Sequence, residues 1–171
     1  MADNPPPQLK LTDSRLVETM KPQMVASLQR KLPEGLRLAV GIDTVHVDSI
    51  QASLDSFGAS FERRLFTLAE LSDARAVEGG YPERLAARFA AKEAAIKAFG
   101  LAHVGVDWRE IEVARAPCGE PSLRVHGKVA RLLEAMGASG VEVSMSHDAN
   151  QACAVVAGFI CSARTPHEPN N

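Results

Sequence analysis

Tyr81-Pro82-Glu83-Arg84-Leu85-Ala86-Ala87-Arg88-Phe89-Ala90-Ala91-Lys92-Glu93-Ala94-Ala95-Ile96-Lys97-Ala98-Phe99-Gly100 is the stretch whose reading decides the fold. Pro82 suits the opening of a helix and Gly100 the residue just past its end. Alanines at 86, 87, 90, 91, 94 and 95 add high intrinsic propensity. At about 100° per residue, Leu85, Phe89, Ile96 and Phe99 share one apolar face. Ala86, Ala90, Glu93 and Lys97 form a second stripe along its flank, with only small side chains ahead of the charged pair. A Glu four residues before a Lys is commonly a solvated helix pair; the small residues also leave room for something to lie there. Lys92 falls within the apolar face, so it must snorkel, pair or bind an anion.

Working outward, Leu36 to Val47 is rich in β-branched residues and predicts the first strand. Leu38, Val40 and Ile42 share one of its faces, Gly41 and Asp43 the other. A carboxylate in an apolar strand is costly unless it is paired, metal-bound or facing water, so Asp43 is a candidate site residue. Ile50–Phe57 predicts a short helix. Phe61–Ala76 predicts another, with Thr67 and Glu70 at capping-box spacing. Beyond the central helix, residues 109–115 and 122–126 alternate as two strands around a Cys118–Pro121 turn, and Lys128–Met136 predicts an amphipathic helix ended by Gly137. Residues 141–146 and 151–160 predict a last pair of strands joined by a turn at His147–Asn150. Strands and helices distributed in this way predict an α+β fold with an antiparallel sheet.

A length of 171 residues suits one domain with a real core. The expected division is a front extension over 1–35, partly disordered and partly helical, a domain over 36–161 and a loose tail over 162–171. In the extension, Thr12 or Asp13 caps a helix that Pro22 restarts, with Met24, Val25, Leu28 and Leu32 on its apolar side. A net charge of −2 argues against a broad nucleic-acid surface. The apolar runs fall short of a membrane span and the start lacks a signal pattern, so a cytoplasmic protein is expected. Cys118, Cys153 and Cys161 have no metal or redox spacing; Cys153 and Cys161 read as small core residues.

Three ordered segments carry a resemblance. Val40-Gly41-Ile42-Asp43-Thr44-Val45, then Arg88 to Gly100, then Val143-Ser144-Met145-Ser146-His147-Asp148 resemble the holo-acyl-carrier-protein synthase family of 4′-phosphopantetheinyl transferases. The likeness covers roughly residues 38–161. It implies an antiparallel sheet wrapped around a central helix, the 4′-phosphopantetheinyl transferase-like fold. It also implies Mg²⁺-dependent transfer of the phosphopantetheine arm from coenzyme A to a serine of an apo-acyl carrier protein, in a homotrimer with coenzyme A between subunits. By that resemblance Asp43 and Glu93 hold the metal, Lys97 reaches a phosphate, and Arg88, Lys92, Ser146 and His147 approach coenzyme A. Lys92 suits a structural role equally well, and either Glu93 or metal-bound water suits the role of base.

Two features depart from the family. Where a Glu and an Arg-Ile pair are usual, this chain has His46 and Asp48-Ser49-Ile50, so the Arg that grips the carrier's acidic helix is Ser49. Arg63 and Arg64 are substitutes to consider. The front extension is the second departure. A chain that keeps the fold and grips a carrier without turnover is the alternative reading, and the presence of Asp43, Glu93, Lys97 and His147 weighs against it.

Overall fold

The computed structural model describes residues 26–161. The expected cap at Thr12 or Asp13, the restart at Pro22, the disordered start and the loose tail lie outside the described residues. Three long strands, β1 (Leu36–His46), β4 (Ala138–Asp148) and β5 (Gln151–Cys161), form an antiparallel sheet in the order β1-β5-β4. β2 (Ile111–Arg115) and β3 (Pro121–Val125) form a separate antiparallel hairpin. Between β1 and β2 come helices α1 (Val47–Phe57), α2 (Ala59–Leu65), α3 (Leu68–Arg75) and the long α4 (Tyr81–Phe99), then a 3₁₀ turn at Trp108–Glu110. α5 (Gly127–Ala135) joins the two sheets. This is the α+β arrangement expected, with the larger sheet laid against α4.

The contact between α4 and β1 is at backbone distance. A Cβ on Gly41 would sit 2.7 Å from the Ala98 nitrogen and closer still to the Ala94 carbonyl oxygen, so only glycine fits. The small residues of α4 serve the same contact: Ala86, Ala90, Ala91 and Ala94 are fully buried. The stripe that looked open in sequence is therefore filled by the sheet. Leu85, Ile96 and Phe99 are buried on the other side, and Phe89 packs on Trp108 with ring centroids 5.1 Å apart. The helix is enclosed nearly all round, with Glu93 and Lys97 at its rim. Gly100, at φ 67°, ends it in the left-handed conformation.

The face of β1 turned to α4 carries Ala39, Gly41 and Asp43, while Leu38, Val40 and Ile42 point to the half-exposed outer face. Size, not hydrophobicity, chooses the inner face.

Three boundaries differ from expectation. Phe61–Ala76 is two helices, because Phe66 and Thr67 are extended and the capping box starts a new helix: Thr67 Oγ1 accepts from Glu70 N at 3.2 Å and Glu70 Oε2 from Thr67 N at 2.8 Å. α1 starts at Val47. β4 runs to Asp148, so His147 belongs to a strand and only Ala149 and Asn150 turn the chain. Cys161 is exposed and Cys153 half-buried, so neither is a core residue. Of the extension, Ala26–Gln29 are helical, and Gln29 reaches the free edge of β1: its amide donates to Leu36 O at 2.7 Å and accepts from Leu38 N at 2.9 Å. No helix among the described residues is long and apolar enough to cross a membrane.

Gly41→Ala is expected to cost at least about 3 kcal/mol, the upper end of ordinary overpacking, since two backbones and not a flexible side chain stand in the way. Denaturant unfolding measures it; a loss under about 1 kcal/mol means the helix can retreat.

Candidate active site

Asp43 projects from β1 toward α4, in register with buried Ala154. Its Oδ1 accepts from Lys97 Nζ at 2.7 Å. Glu93, one turn before Lys97, completes the cluster at the sheet's β1 edge. Burial pushes the Glu93 carboxyl up, the Asp43 charge pushes it further, and Lys97 pulls it back. Two carboxylates that repel one another, with one lysine beside them whose side chain is 48% exposed, form a cluster short of positive charge and open to a cation. Among the described residues no group of three or more His, Cys, Asp and Glu gathers. The donor set is two hard oxygens, which suits a cation that takes its remaining ligands from water and phosphate.

A second cluster lies at the opposite edge. Arg88 is buried, paired with Asp73, and donates through Nη1 to Arg84 O at 3.0 Å. Burial works against its charge, and Asp73 first and Glu70 next restore it. Its Nε is buried without a partner. Arg88 opens on a cleft of about 350 Å³ whose wall includes Arg84, Arg115, Gly119, Pro121 and His147. Arg84 is committed to the carbonyls of Ala74 and Val77, each at 2.7 Å. Arg115 donates to Gly119 O at 3.1 Å; in the sequence it is a strand-end residue, and its position beside the Gly119-Glu120-Pro121 turn is the signal that brings it to the cleft.

Of the residues expected to approach coenzyme A, Arg88 and His147 meet in this cleft. Ser146 does not join them. It pairs with Cys153, which in turn pairs with Thr44, on the sheet face away from α4. Strand alternation separates it from His147.

Lys92 also departs from the expected set. It is 0% exposed, and its three N–H groups are taken by Leu65 O at 2.8 Å, Glu70 Oε2 at 2.8 Å and Trp108 O at 3.0 Å. Burial drives the ammonium's pKa down while Glu70 opposes that. Glu70 Oε1 accepts from Val113 N at 3.0 Å. The pair joins α2, α3, α4, the 3₁₀ turn and β2, and leaves Lys92 no donor for a phosphate. Its role is structural.

The two clusters face apart. Arg88 and Lys97, nine positions apart, project about 180° from each other, and Arg88 and Glu93 about 140°. Asp43 and His147 stand on the two outer strands with β5 between, so about 10 Å of sheet separates them laterally.

Residues 39–156 match the model of the 4′-phosphopantetheinyl transferase superfamily. Holo-[acyl-carrier-protein] synthase of Koribacter versatilis is 44% identical over 124 residues, covering 70% of this chain and 95% of that one. An ACPS–CoA complex from Chronobacterium ammoniagenes superposes with a TM-score of 0.63 at 35% identity, over 71% of this chain and 96% of that one. The Helicobacter pylori holo-[acyl-carrier-protein] synthase in complex with coenzyme A superposes at 0.58 with 26% identity, over 68% and 96%. The chain belongs to this superfamily.

Lys92→Met strands a buried Glu70 and is expected to cost about 3–5 kcal/mol while leaving the affinity of the folded fraction for coenzyme A unchanged by calorimetry. A large affinity loss would return Lys92 to the ligand. Glu93→Gln is expected to raise the thermal midpoint at neutral pH. A carboxyl whose pKa is raised by folding loses stability as pH climbs from its unfolded pKa through its folded one. Glutamine escapes that loss. The advantage should vanish below the ordinary carboxylate range, and a variant less stable than wild type at neutral pH counters the assigned burial.

Proposed function

We propose that this chain transfers the 4′-phosphopantetheine arm of coenzyme A to a serine hydroxyl of an apo-acyl carrier protein, giving the holo-carrier and 3′,5′-ADP. The observation that carries the reading is the convergence of Asp43, Glu93 and Lys97 at one solvent-facing edge of α4. The carrier serine oxygen forms a bond to the phosphorus next to the pantetheine arm. The bond from that phosphorus to the bridging pyrophosphate oxygen breaks, and its electron pair leaves with 3′,5′-ADP. Such a transfer is governed by positioning and by neutralising phosphate charge. Lys97 supplies a cation to a pyrophosphate oxygen, with Asp43 holding its ammonium in place. Burial raises the basicity of Glu93, which favours it as acceptor of the serine proton. Asp43 and Glu93 are also the residues suited to hold Mg²⁺, which when bound would offset the charge of the pyrophosphate. Arg88 and His147 take the far, anionic end of coenzyme A.

We infer further that the working form is a homotrimer with each site shared between copies. Two observations support it. The clusters for the two ends of coenzyme A face apart within one copy. The outer face of the sheet, with Leu38, Val40 and Ile42 of β1 beside Val155, Ala157 and Phe159 of β5, is only half-buried in a single chain. A cytoplasmic location fits a reaction on coenzyme A. The alternative, a carrier-gripping module without turnover, draws support from Ser49, which is exposed where the family has an arginine; Arg63 and Arg64, exposed on α2, are cations available to the carrier instead.

Mass spectrometry of an apo-acyl carrier protein incubated with the chain, coenzyme A and Mg²⁺, with an EDTA control, decides between them. A gain of one phosphopantetheine arm that EDTA abolishes is expected, and Asp43→Ala and Glu93→Ala should each reduce it by about 10³-fold or more, as loss of a principal electrostatic group does. No gain across several unrelated carriers favours the binding module; full activity in either variant removes that residue from the reaction.

A further inference from the structure

We propose that Asn150 is a positioning residue, which locks the strand end carrying His147 to the start of α1 and so holds His147 in place on the coenzyme A side of the site. The start of α1 has no side-chain cap of its own: His46 makes none. Its first amides are met from a residue 102 positions away in sequence. Val47 N donates to Asn150 O at 3.0 Å, and Asp48 N donates to Asn150 Oδ1 at 3.0 Å. The same side chain returns a bond, Asn150 Nδ2 to Asp48 Oδ2 at 2.5 Å. Asparagine at a helix start satisfies orphan donors in this way when it is the local cap. Here it does so from the β4–β5 turn.

That turn has only two residues, and Ala149 holds φ 46°, the one positive value among described non-glycine residues. Two-residue turns of this kind usually put glycine there, so the three bonds between Asn150 and the Val47–Asp48 start of α1 hold a turn that alanine alone does not favour. The consequence for the site follows from the short distances along the chain. His147 lies three residues before Asn150, so the clasp ties the β4–β5 turn next to His147 to the chain just past the end of β1, one step beyond the His46–Gln151 pair.

The inference rests on the functional reading for its meaning but not for its test. Asn150→Asp keeps the cap acceptor and faces Asp48 with a second carboxylate. Asp48→Asn combined with Asn150→Asp exchanges the partners and restores every bond. The His147 imidazole resonances, followed by NMR in the full-length chain, are expected to shift in Asn150→Asp and in Asn150→Ala and to return in the exchanged double variant. In the carrier assay the single variants should lose roughly ten- to a hundredfold in kcat/KM for coenzyme A, carried mostly by KM, with the exchange recovering it. If the amides of Val47 and Asp48 exchange faster in the single variants while His147 stays unmoved, Asn150 is a helix cap only and the proposal is overturned. If wild type transfers no arm to any carrier, the functional reading falls, and the NMR result still judges the clasp.

Discussion

Everything in this molecule depends on how closely one helix can approach one strand. The missing side chain of Gly41 lets β1 press against the backbone of α4 at Ala94 and Ala98, and the alanines of α4 extend that approach along the sheet. The approach is what brings charged groups together at its edge. Asp43 is two residues beyond Gly41 on the same face, and Lys97 and Glu93 flank the contacted turn of the helix. With bulkier residues in the seam the helix would stand off by an ångström or more, and a short charge-assisted bond between Asp43 and Lys97 would lengthen beyond use. The packing of the helix and the placement of the proposed site are thus set by one absence of volume.

The same helix divides its charges by depth. Lys92 and Glu93 are neighbours in sequence with opposite fates. Lys92 turns inward and, with Glu70, gathers backbone groups from segments that otherwise share few bonds; a buried pair of this kind is tolerable because every donor and acceptor is met. Glu93 turns to the rim, half out of water, where its ionised form is disfavoured and its appetite for a cation or a proton rises. A carboxylate held at some cost to stability is a candidate for a group placed for chemistry.

Much of this was legible in the residues, and what was not has physical reasons. Helical periodicity and capping signals fixed the central helix and the Thr67–Glu70 box, because those are local. Alternation placed Gly41 and Asp43 on one strand face. It did not reveal that this face, with its small residues, is the buried one, since closeness to a helix depends on volume rather than on hydropathy. The depth of Lys92 was open for a related reason: its partners, Leu65, Glu70 and Trp108, come from three segments that only the tertiary fold brings together. Ser146 and His147 read as one motif, but period-two geometry sends them to opposite faces once β4 runs unbroken through both. The clasp at Asn150 joins residues 102 apart, beyond the reach of any local pattern.

The distribution of charge across the sheet carries the last step. A ligand with a pyrophosphate in its middle and a phosphorylated nucleoside at one end needs cations at two places. This chain carries Lys97 and Arg88 at the two edges of one three-stranded sheet, with the enclosed helix as a wall between. A single copy would force the ligand around that wall. Two copies set side by side, the β1 edge of one near the β4 edge of the next, would bring Lys97 and Arg88 from different chains to one cleft, and closing such a head-to-tail arrangement gives a ring. The half-covered apolar outer face of the sheet is where such copies would find the area they need. In such a ring the small size of the domain would not limit the site it can build: each chain would carry half of two sites, and α4, too tightly enclosed to hold a ligand within itself, would serve as the partition between them.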